Sequence, residues 1–235
     1  MESKITEYFK SKTKEMNTEP EITAGGQHFQ MFNTGGVEVE VAELLYGLVR
    51  CWKPKFVLET GTHKGISSAY IAQALEDNQS GKLATYEIIP SLQQDSMRVW
   101  RDLKLSHRID SRLLPSLEAL KQWPDMPEID FLFLDSEPQF RFDEFLYFWD
   151  KVAPGGLIAI HDLHPSLGHH GQTHHGTFDW PYGYWKEKLK NYVTDFKVQL
   201  IHVPNPRGMV LFQKCSGTEE NVKALVESYN EAMAD

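Results

Sequence analysis

The sequence is poor in cysteine, in long apolar runs and in clustered positive charge. Its two cysteines, Cys51 and Cys215, cannot build the disulfide framework of a small secreted domain. No window approaches the roughly 18 apolar residues of a membrane-spanning helix, and the N-terminus lacks the apolar segment of a signal peptide. The formal net charge of −9 disfavours a nucleic-acid-binding surface, which needs clustered Lys and Arg. We therefore expect a cytoplasmic protein with a small-molecule substrate and with neither nucleic acid nor membrane as a partner.

The length of 235 residues suits one domain with a sizeable core. We expect a single domain over 1–235, with an N-terminal extension and loop at 1–36, a core at 37–214 and a C-terminal helix at 215–235. A substrate loop is expected at 162–180. Loosely spaced apolar residues within 2–17 predict a peripheral helix that packs on a partner subunit, so a homodimer is a further expectation.

A strand, a glycine-containing turn and a helix follow one another in KFVLETGTHKGISSAYIAQAL, residues 55–75. The apolar run FVL predicts a buried strand, and an apolar helix is predicted from Ile66 to Leu75. Between them lies the glycine turn, Glu59–Gly65. Glycines allow a tight turn and a close approach to a ligand, and the helix N-terminus offers free N–H groups to anionic oxygens. This segment predicts a ligand site.

Strands and helices alternate along the middle of the chain. Further strands are predicted at 82–88, 108–111, 129–134 and 157–161, and helices at 37–52, 91–103, 115–123 and 140–152. This alternation is typical of βαβ units with a parallel sheet. The last third differs, because strands predicted at 197–202 and 209–214 are joined by a short Pro/Gly connection that permits only antiparallel pairing. Two more helices are predicted at 180–192 and 219–233, and a loop at 19–36.

The ordered segments LETGTHKGIS, TYEI, IDFLFLDSE and APGGLIAIHD resemble the class I S-adenosylmethionine (SAM) methyltransferases. They are similar to the small-molecule O-methyltransferases of the catechol and caffeoyl-CoA type. The resemblance implies an α/β, Rossmann-like fold with a mostly parallel seven-stranded sheet, one antiparallel strand and helices on both faces. It also implies SAM as the cofactor. A dinucleotide site is the competing interpretation of the turn, but His63 stands where G-x-G-x-x-G needs its second glycine.

The same resemblance implies roles for individual residues. Glu87 would bind both ribose hydroxyls, a bidentate task that suits a carboxylate. Glu59 would balance the amino or sulfonium charge, Ser67 would receive the carboxylate of SAM, and Asp110 or Ser111 would contact adenine. The full set of cofactor-binding residues implied in this way is Thr34, Glu59, Gly61, Thr62, Gly65, Ser67, Glu87, Ile88, Asp110, Ser111, Asp135 and Ser136.

The candidate catalytic residues follow the fourth and fifth strands of the core: Asp135, His161, Asp162 and His164. In the metal-dependent relatives, an acid at the position of Asp135 and an Asp-Asn pair bind the ion, and here that pair is His161-Asp162. Carboxylates suit Mg²⁺, whereas imidazole favours softer ions such as Mn²⁺. The catalytic lysine of those relatives falls on Pro138, which is a second departure from their pattern.

Two mechanisms therefore stay open at this point. A divalent cation, Mg²⁺ or Mn²⁺, would be held by Asp135, His161 and Asp162 and would activate the acceptor. Alternatively, His161 or His164 would act as a base without metal, oriented by Asp162.

The resemblance implies methyl transfer from SAM to a small-molecule acceptor, with a hydroxyl oxygen as the expected target. The altered ligand pattern keeps open a catalytically inactive SAM-fold protein that binds a ligand or a partner. A third interpretation is a metal-binding protein, because six of the ten histidines lie between 161 and 175.

Overall fold

The computed structural model describes residues 4–12, 17–22, 28–32, 36–162, 198–203 and 208–214. The helices in these ranges are α1 (Lys4–Lys12), α2 (Val39–Trp52), α3 (Ile66–Asp77), α4 (Pro90–Asp102), α5 (Ala119–Gln122) and α6 (Arg141–Phe148). The strands are β1 (Asn17–Ile22), β2 (His28–Met31), β3 (Phe56–Thr60), β4 (Lys82–Glu87), β5 (Ile109–Leu113), β6 (Ile129–Leu134), β7 (Val152–His161), β8 (Val198–Val203) and β9 (Met209–Lys214).

Strands β3 to β9 form the main sheet in the order β5-β4-β3-β6-β7-β9-β8. The strands β5, β4, β3, β6 and β7 are parallel, and β9 runs antiparallel to both of its neighbours. This confirms the predicted α/β class with a mostly parallel sheet and an antiparallel strand near one edge. The chain moves outward from β3 to β5 and then returns to the other side of β3, so the order reverses between β3 and β6.

Helices cover both faces of the sheet, as the resemblance implied. Successive residues of a strand point to opposite faces, and here they join two different apolar clusters. Val57 and Phe131 pack with side chains of α1 to α4, whereas Leu58 and Leu132 pack with side chains of α5 and α6. All of β3 is buried, which explains why its first three residues, Phe56, Val57 and Leu58, are apolar without alternation.

The N-terminal helix α1 packs on its own chain. Ile5 and Phe9 are buried, and the Phe9 ring stacks on Phe32 and Tyr70 at centroid distances of 5.1 and 6.4 Å. The hydroxyls of Thr6 and Tyr70 are hydrogen-bonded at 2.8 Å. The helix was predicted, but its apolar side chains fill the core of this chain and do not require a partner subunit.

The segment predicted as a loop at 19–36 contains a β-hairpin instead. Strand β1 pairs antiparallel with β2, and these two strands form a separate sheet. Pro20 misled the sequence interpretation, yet a proline is tolerated in a strand that has a free edge. Other predicted segments lie outside the described residues, namely the helices at 180–192 and 219–233 and nearly all of the loop at 162–180. In the described ranges, no helix is long and apolar enough to cross a membrane.

Candidate active site

The carboxyl ends of β3, β4, β6 and β7 lie on one edge of the sheet, beside the point where the strand order reverses. Ligands of parallel α/β sheets bind in the crevice at such a point. The glycine turn follows β3, Glu87 ends β4, Asp135 follows β6, and the pair His161-Asp162 ends β7. The fold therefore brings the predicted residues from four separate segments to one edge.

The glycine turn is shaped by contacts with the protein itself. Gly61 has a φ of +79°, and a Cβ there would lie 2.3 Å from the main-chain oxygen of Asp135. Gly65 has a φ of +75°, and a Cβ there would lie 2.8 Å from Nε1 of Trp100. The indole N–H of Trp100 donates to the carbonyl of Gly65 at 3.2 Å. Packing against the end of β6 and against α4 thus already requires both glycines, independently of any ligand.

Glu59 is a fully buried carboxyl group beneath the turn. It accepts hydrogen bonds from the hydroxyls of Ser67 at 2.6 Å, Thr85 at 2.6 Å and Ser68. The Thr62 hydroxyl lies 2.5 Å from that of Thr85 and extends this series of hydrogen bonds. Burial raises the pKa of Glu59 to about 7, although the three hydroxyls oppose this shift. Glu59, Thr62 and Ser67 therefore form an internal network, and the Ser67 hydroxyl is directed at Glu59.

Glu87 is held by three main-chain N–H groups at the end of β4. The amide of His63 donates to Oε2 at 2.7 Å, and the amides of Ile88 and Ile89 donate to Oε1 at 2.8 and 2.9 Å. The first of these bonds ties the glycine turn to the neighbouring strand. An ionised carboxylate has about four acceptor positions, so the three N–H donors leave one position open, on Oε2. The carboxylate is thus fixed in place and remains able to accept one further hydrogen bond at Oε2.

The residues around Glu87 are apolar and exposed. Ile88 is 62% exposed, and Leu113, which pairs with Glu87 across the two strands, is 46% exposed. Asp110 and Ser111 lie elsewhere. They pair with Ala84 and Thr85, so Asp110 is three residues, roughly 10 Å, before the level of Glu87.

The side chains of Asp110 and Ser111 have other partners within the protein. Asp110 forms an ion pair with Arg112 at 2.7 Å, and Ser111 accepts a bond from Gln93 of α4 at 3.0 Å. The structure therefore does not bring the two residues predicted to contact adenine to the site edge, and Leu113 occupies the corresponding level of β5.

A second buried carboxyl group, Glu144 of α6, was missed by the sequence interpretation. It accepts from the hydroxyls of Thr60 at 2.9 Å, Ser136 at 2.7 Å and Ser116. These hydroxyls lie at or just after the ends of three different strands, so one side chain joins the ends of β3, β5 and β6. Burial raises its pKa above the usual value for a glutamate. Ser136, predicted to contact the cofactor, is thus tied to the face of the sheet that carries α6.

The residues Asp135, His161 and Asp162 form a compact group, here called the acid–histidine cluster. Each offers one potential ligand atom, and these atoms lie within 4.8 Å of one another. Nδ1 of His161 lies 3.0 Å from Oδ1 of Asp135 and 3.5 Å from Oδ1 of Asp162. The sequence prediction that these three residues meet is supported by this geometry.

Two charged residues that the sequence did not reveal complete the surroundings of the cluster. Glu38, just before α2, places Oε2 2.7 Å from Nε2 of His161, and neither side chain is exposed. Arg141, 4% exposed, donates from Nη2 to Asp135 at 3.2 Å and to Asp162 at 2.9 Å. Arg141 is the one basic residue of α6, and its presence in FRFDEFLYF is only a weak signal. Nothing in the sequence connects Glu38 with His161, which lies 123 positions further along the chain.

The imidazole of His161 is enclosed, whereas the two aspartates are not. The His161 side chain is 0% exposed, and the side chains of Asp135 and Asp162 are 13% and 16% exposed. Ionised carboxylates only accept hydrogen bonds, so ionised Glu38 and Asp135 would require a donor from each ring nitrogen of His161. An acceptor molecule in the crevice would therefore meet the aspartates before the histidine. Two predicted site residues, Thr34 and His164, lie outside the described residues.

Comparisons with known proteins agree with this geometry. Residues 58–163, somewhat less than half of the chain, match the family model described as a methyltransferase domain. The catechol O-methyltransferase domain-containing protein 1 of Mus musculus is 27% identical over 124 residues, which cover 52% of this chain and 47% of that protein. The chain spans about half the length of the curated relatives it matches.

Two solved structures show the same fold. One is the O-methyltransferase TomG from Streptomyces achromogenes in complex with SAM, with a TM-score of 0.63, 20% identity and coverage of 77% of this chain and 82% of that one. The other is an O-methyltransferase from Bacillus cereus in complex with SAH, with a TM-score of 0.64, 18% identity and coverage of 77% and 84%. The matched segment is therefore similar to a methyltransferase domain, and the strand order is that of the fold shared with these two methyltransferases.

Proposed function

We propose that this protein transfers a methyl group from SAM to a hydroxyl oxygen of a small molecule. The proposal is carried by the fixed carboxylate of Glu87 beside the glycine turn. Its relatives by name and by fold are O-methyltransferases, and two of the fold relatives were solved with SAM or SAH. When bound, SAM supplies a methyl group on a sulfonium leaving group.

The residues at the ends of β3 and β4 fit the nucleoside part of SAM. Oε2 of Glu87 offers its remaining acceptor position to a ribose hydroxyl, and a charge-assisted bond of this kind belongs to the stronger class of hydrogen bond. Ile88 and Leu113 provide exposed apolar surface on either side of that carboxylate, which suits the flat face of a purine. The N–H groups at the start of α3 favour an anionic group near the turn.

The acid–histidine cluster is the part of the site that would take the proton from the acceptor. Asp135 and Asp162 are partly exposed and can reach a bound hydroxyl as general bases. His161 has no exposed surface and holds Asp135 through Nδ1, so we assign it a positioning role. His164 stays a prediction as a catalytic residue.

A second candidate is a SAM-fold protein that binds a ligand or a partner without transferring methyl groups. Pro138 favours it, because the metal-dependent relatives carry their catalytic lysine at this position. Such a protein would keep Glu87 and the glycine turn and would lack turnover.

The test is transfer of labelled methyl from SAM to a panel of small hydroxyl compounds, phenols and catechols included, with and without EDTA. We expect label in at least one acceptor and loss of most of that transfer in Asp162→Asn. Binding of SAM without labelling of any acceptor would favour the second candidate, and failure to bind SAM would contradict both. A homodimer and a cytoplasmic location belong to the same proposal, and sedimentation velocity on the whole chain tests the dimer.

A further inference from the structure

Arg141 bridges the two carboxylates that the sequence assigned to a metal ion. Nη2 donates to Oδ1 of Asp135 and to Oδ2 of Asp162, at 3.2 and 2.9 Å. Nη1 donates to the main-chain oxygen of His161 at 2.6 Å. The side chain is 5% exposed and begins at the first residue of α6. A fixed, buried cation is therefore already bound by the groups that would coordinate a divalent one.

The third predicted ligand is engaged as well. Both ring nitrogens of His161 lie within hydrogen-bond distance of a carboxylate, Nε2 with Glu38 at 2.7 Å and Nδ1 with Asp135 at 3.0 Å. A metal-bound histidine must direct a free lone pair at the ion, so His161 would have to release one of these partners. Glu38 is fully buried and would then lose a close polar partner.

The residues present do not fit a divalent cation. Oxygen ligands hold such ions at about 2.0–2.6 Å, so an ion bound to Asp135 and Asp162 would lie against the guanidinium of Arg141. Arginine keeps its positive charge in proteins, so this repulsion would persist. Its guanidinium also matches carboxylates by geometry, which suits it to hold two of them at once.

We propose that Arg141 is a built-in cation that takes the place of the divalent metal of the metal-dependent relatives. It fixes Asp135 and Asp162 at the ends of β6 and β7 and balances part of their charge, so the site assembles without metal. The role of Arg141 in catalysis rests on the proposed methyl transfer, whereas the expected lack of metal binding does not. No step of the reaction then passes through a metal ion.

Binding of Mn²⁺, followed by the electron paramagnetic resonance signal of the free ion, tests this inference. We expect the wild-type protein to leave the signal unchanged at equal concentrations of ion and protein. Arg141→Met keeps much of the side-chain length but removes the charge. We expect it to bind one Mn²⁺ roughly tenfold or more tightly than the wild type, the scale on which groups around a metal site change affinity.

Two controls locate the effect. Arg141→Lys keeps a positive charge and is expected to bind no more Mn²⁺ than the wild type. The double variant Arg141→Met with Asp162→Asn removes a ligand and is expected to lose the gained binding. A folded Arg141→Met protein that gains no Mn²⁺ binding contradicts the inference.

Mn²⁺ binding by the wild-type protein tests the inference even if Arg141→Met fails to fold. One equivalent of Mn²⁺ bound by the wild type and lost in Asp162→Asn overturns the inference, and its absence supports it. Titration of the wild type with SAH in the presence of EDTA is a separate arm. Failure to bind SAH contradicts the proposed function and leaves the Mn²⁺ result intact.

Discussion

At the scale of the residue, two buried glutamates accept hydrogen bonds from the segments that form the edge of the site. Glu59 accepts hydrogen bonds from three hydroxyls of the face that carries α3, and Glu144 accepts from three hydroxyls at or just after the ends of three strands. Burial raises the pKa of both carboxyl groups, that of Glu59 to about 7. These residues organise the loops at the site edge and also make stability depend on pH.

The stability of the protein is predicted to fall as the pH rises through the pKa of Glu59. A carboxyl whose folded-state pKa lies above its unfolded value binds its proton more tightly in the folded state. Its contribution is fully present below about pH 4.5 and is lost as the pH approaches and passes 7. A shift from 4.5 to about 7 corresponds to about 3 kcal/mol.

The measurement is the free energy of unfolding in urea at several pH values between 5 and 8. Glu59→Gln removes the titrating proton and is expected to flatten the decline. Glu118→Gln, which alters an exposed carboxylate paired with Lys121, is the matched control and should follow the wild type. Equal pH dependence in the wild type and Glu59→Gln would contradict the predicted role of Glu59.

The positions of single residues at the site edge could be predicted from the sequence where each residue lies at the end of one strand. Glu87, Asp135 and Asp162 were predicted to lie near one another because each is an acid at the end of a largely apolar strand, and the fold does bring them to one edge. Arg141 and Glu38 were not found, because their partners lie on other segments. The position of Asp110, three residues before the end of β5, was also not predicted, since the sequence did not show that β5 extends to Leu113.

At the scale of the element, the turn between β3 and α3 depends on α4. Gly65 begins the helix with a positive φ, and Trp100 of α4 packs directly on it and donates to its carbonyl. The conformation of the turn therefore depends on β3, α3 and α4 together. Its shape is fixed before any ligand binds.

Gly65→Ala is predicted to destabilise the protein, because it combines an unfavourable φ with a clash against Trp100. The backbone conformation alone costs about 1–2 kcal/mol for a residue with a Cβ. Urea unfolding measures the change. Gly47→Ala is the matched control, since a Cβ at Gly47 would meet nothing within 4 Å and helix α2 should gain about 0.5–1 kcal/mol. Equal effects of the two substitutions would contradict this account of the turn.

The elements that the sequence predicted well were those with a strong local pattern. The run Ile129–Leu134 is apolar except at Asp130 because it is covered on both faces, and its bounds were predicted as observed. The hairpin of β1 and β2 was missed, because its strands are polar and are stabilised by pairing with each other. Local propensity carries little information about such a pairing.

At the scale of the whole molecule, the strand order decides where the site lies. The reversal between β3 and β6 places the glycine turn beside Asp135, and the parallel neighbours β4 and β7 add Glu87 and the His161-Asp162 pair. The alternation of strands and helices predicted this arrangement before the contacts were known. The alternation did not predict the cation of the acid–histidine cluster, Arg141, which is the first residue of α6.

The central claim is that Glu87 and the glycine turn bind SAM, and calorimetric titration with SAH tests it most directly. We predict micromolar binding by the wild type and a loss of roughly tenfold or more in Glu87→Gln, because one charge-assisted pair contributes about 1.5–3 kcal/mol. Glu118→Gln should bind SAH like the wild type, and melting curves should show that all three proteins are folded. Equal affinity in the wild type and Glu87→Gln, or no binding by the wild type, would contradict the account.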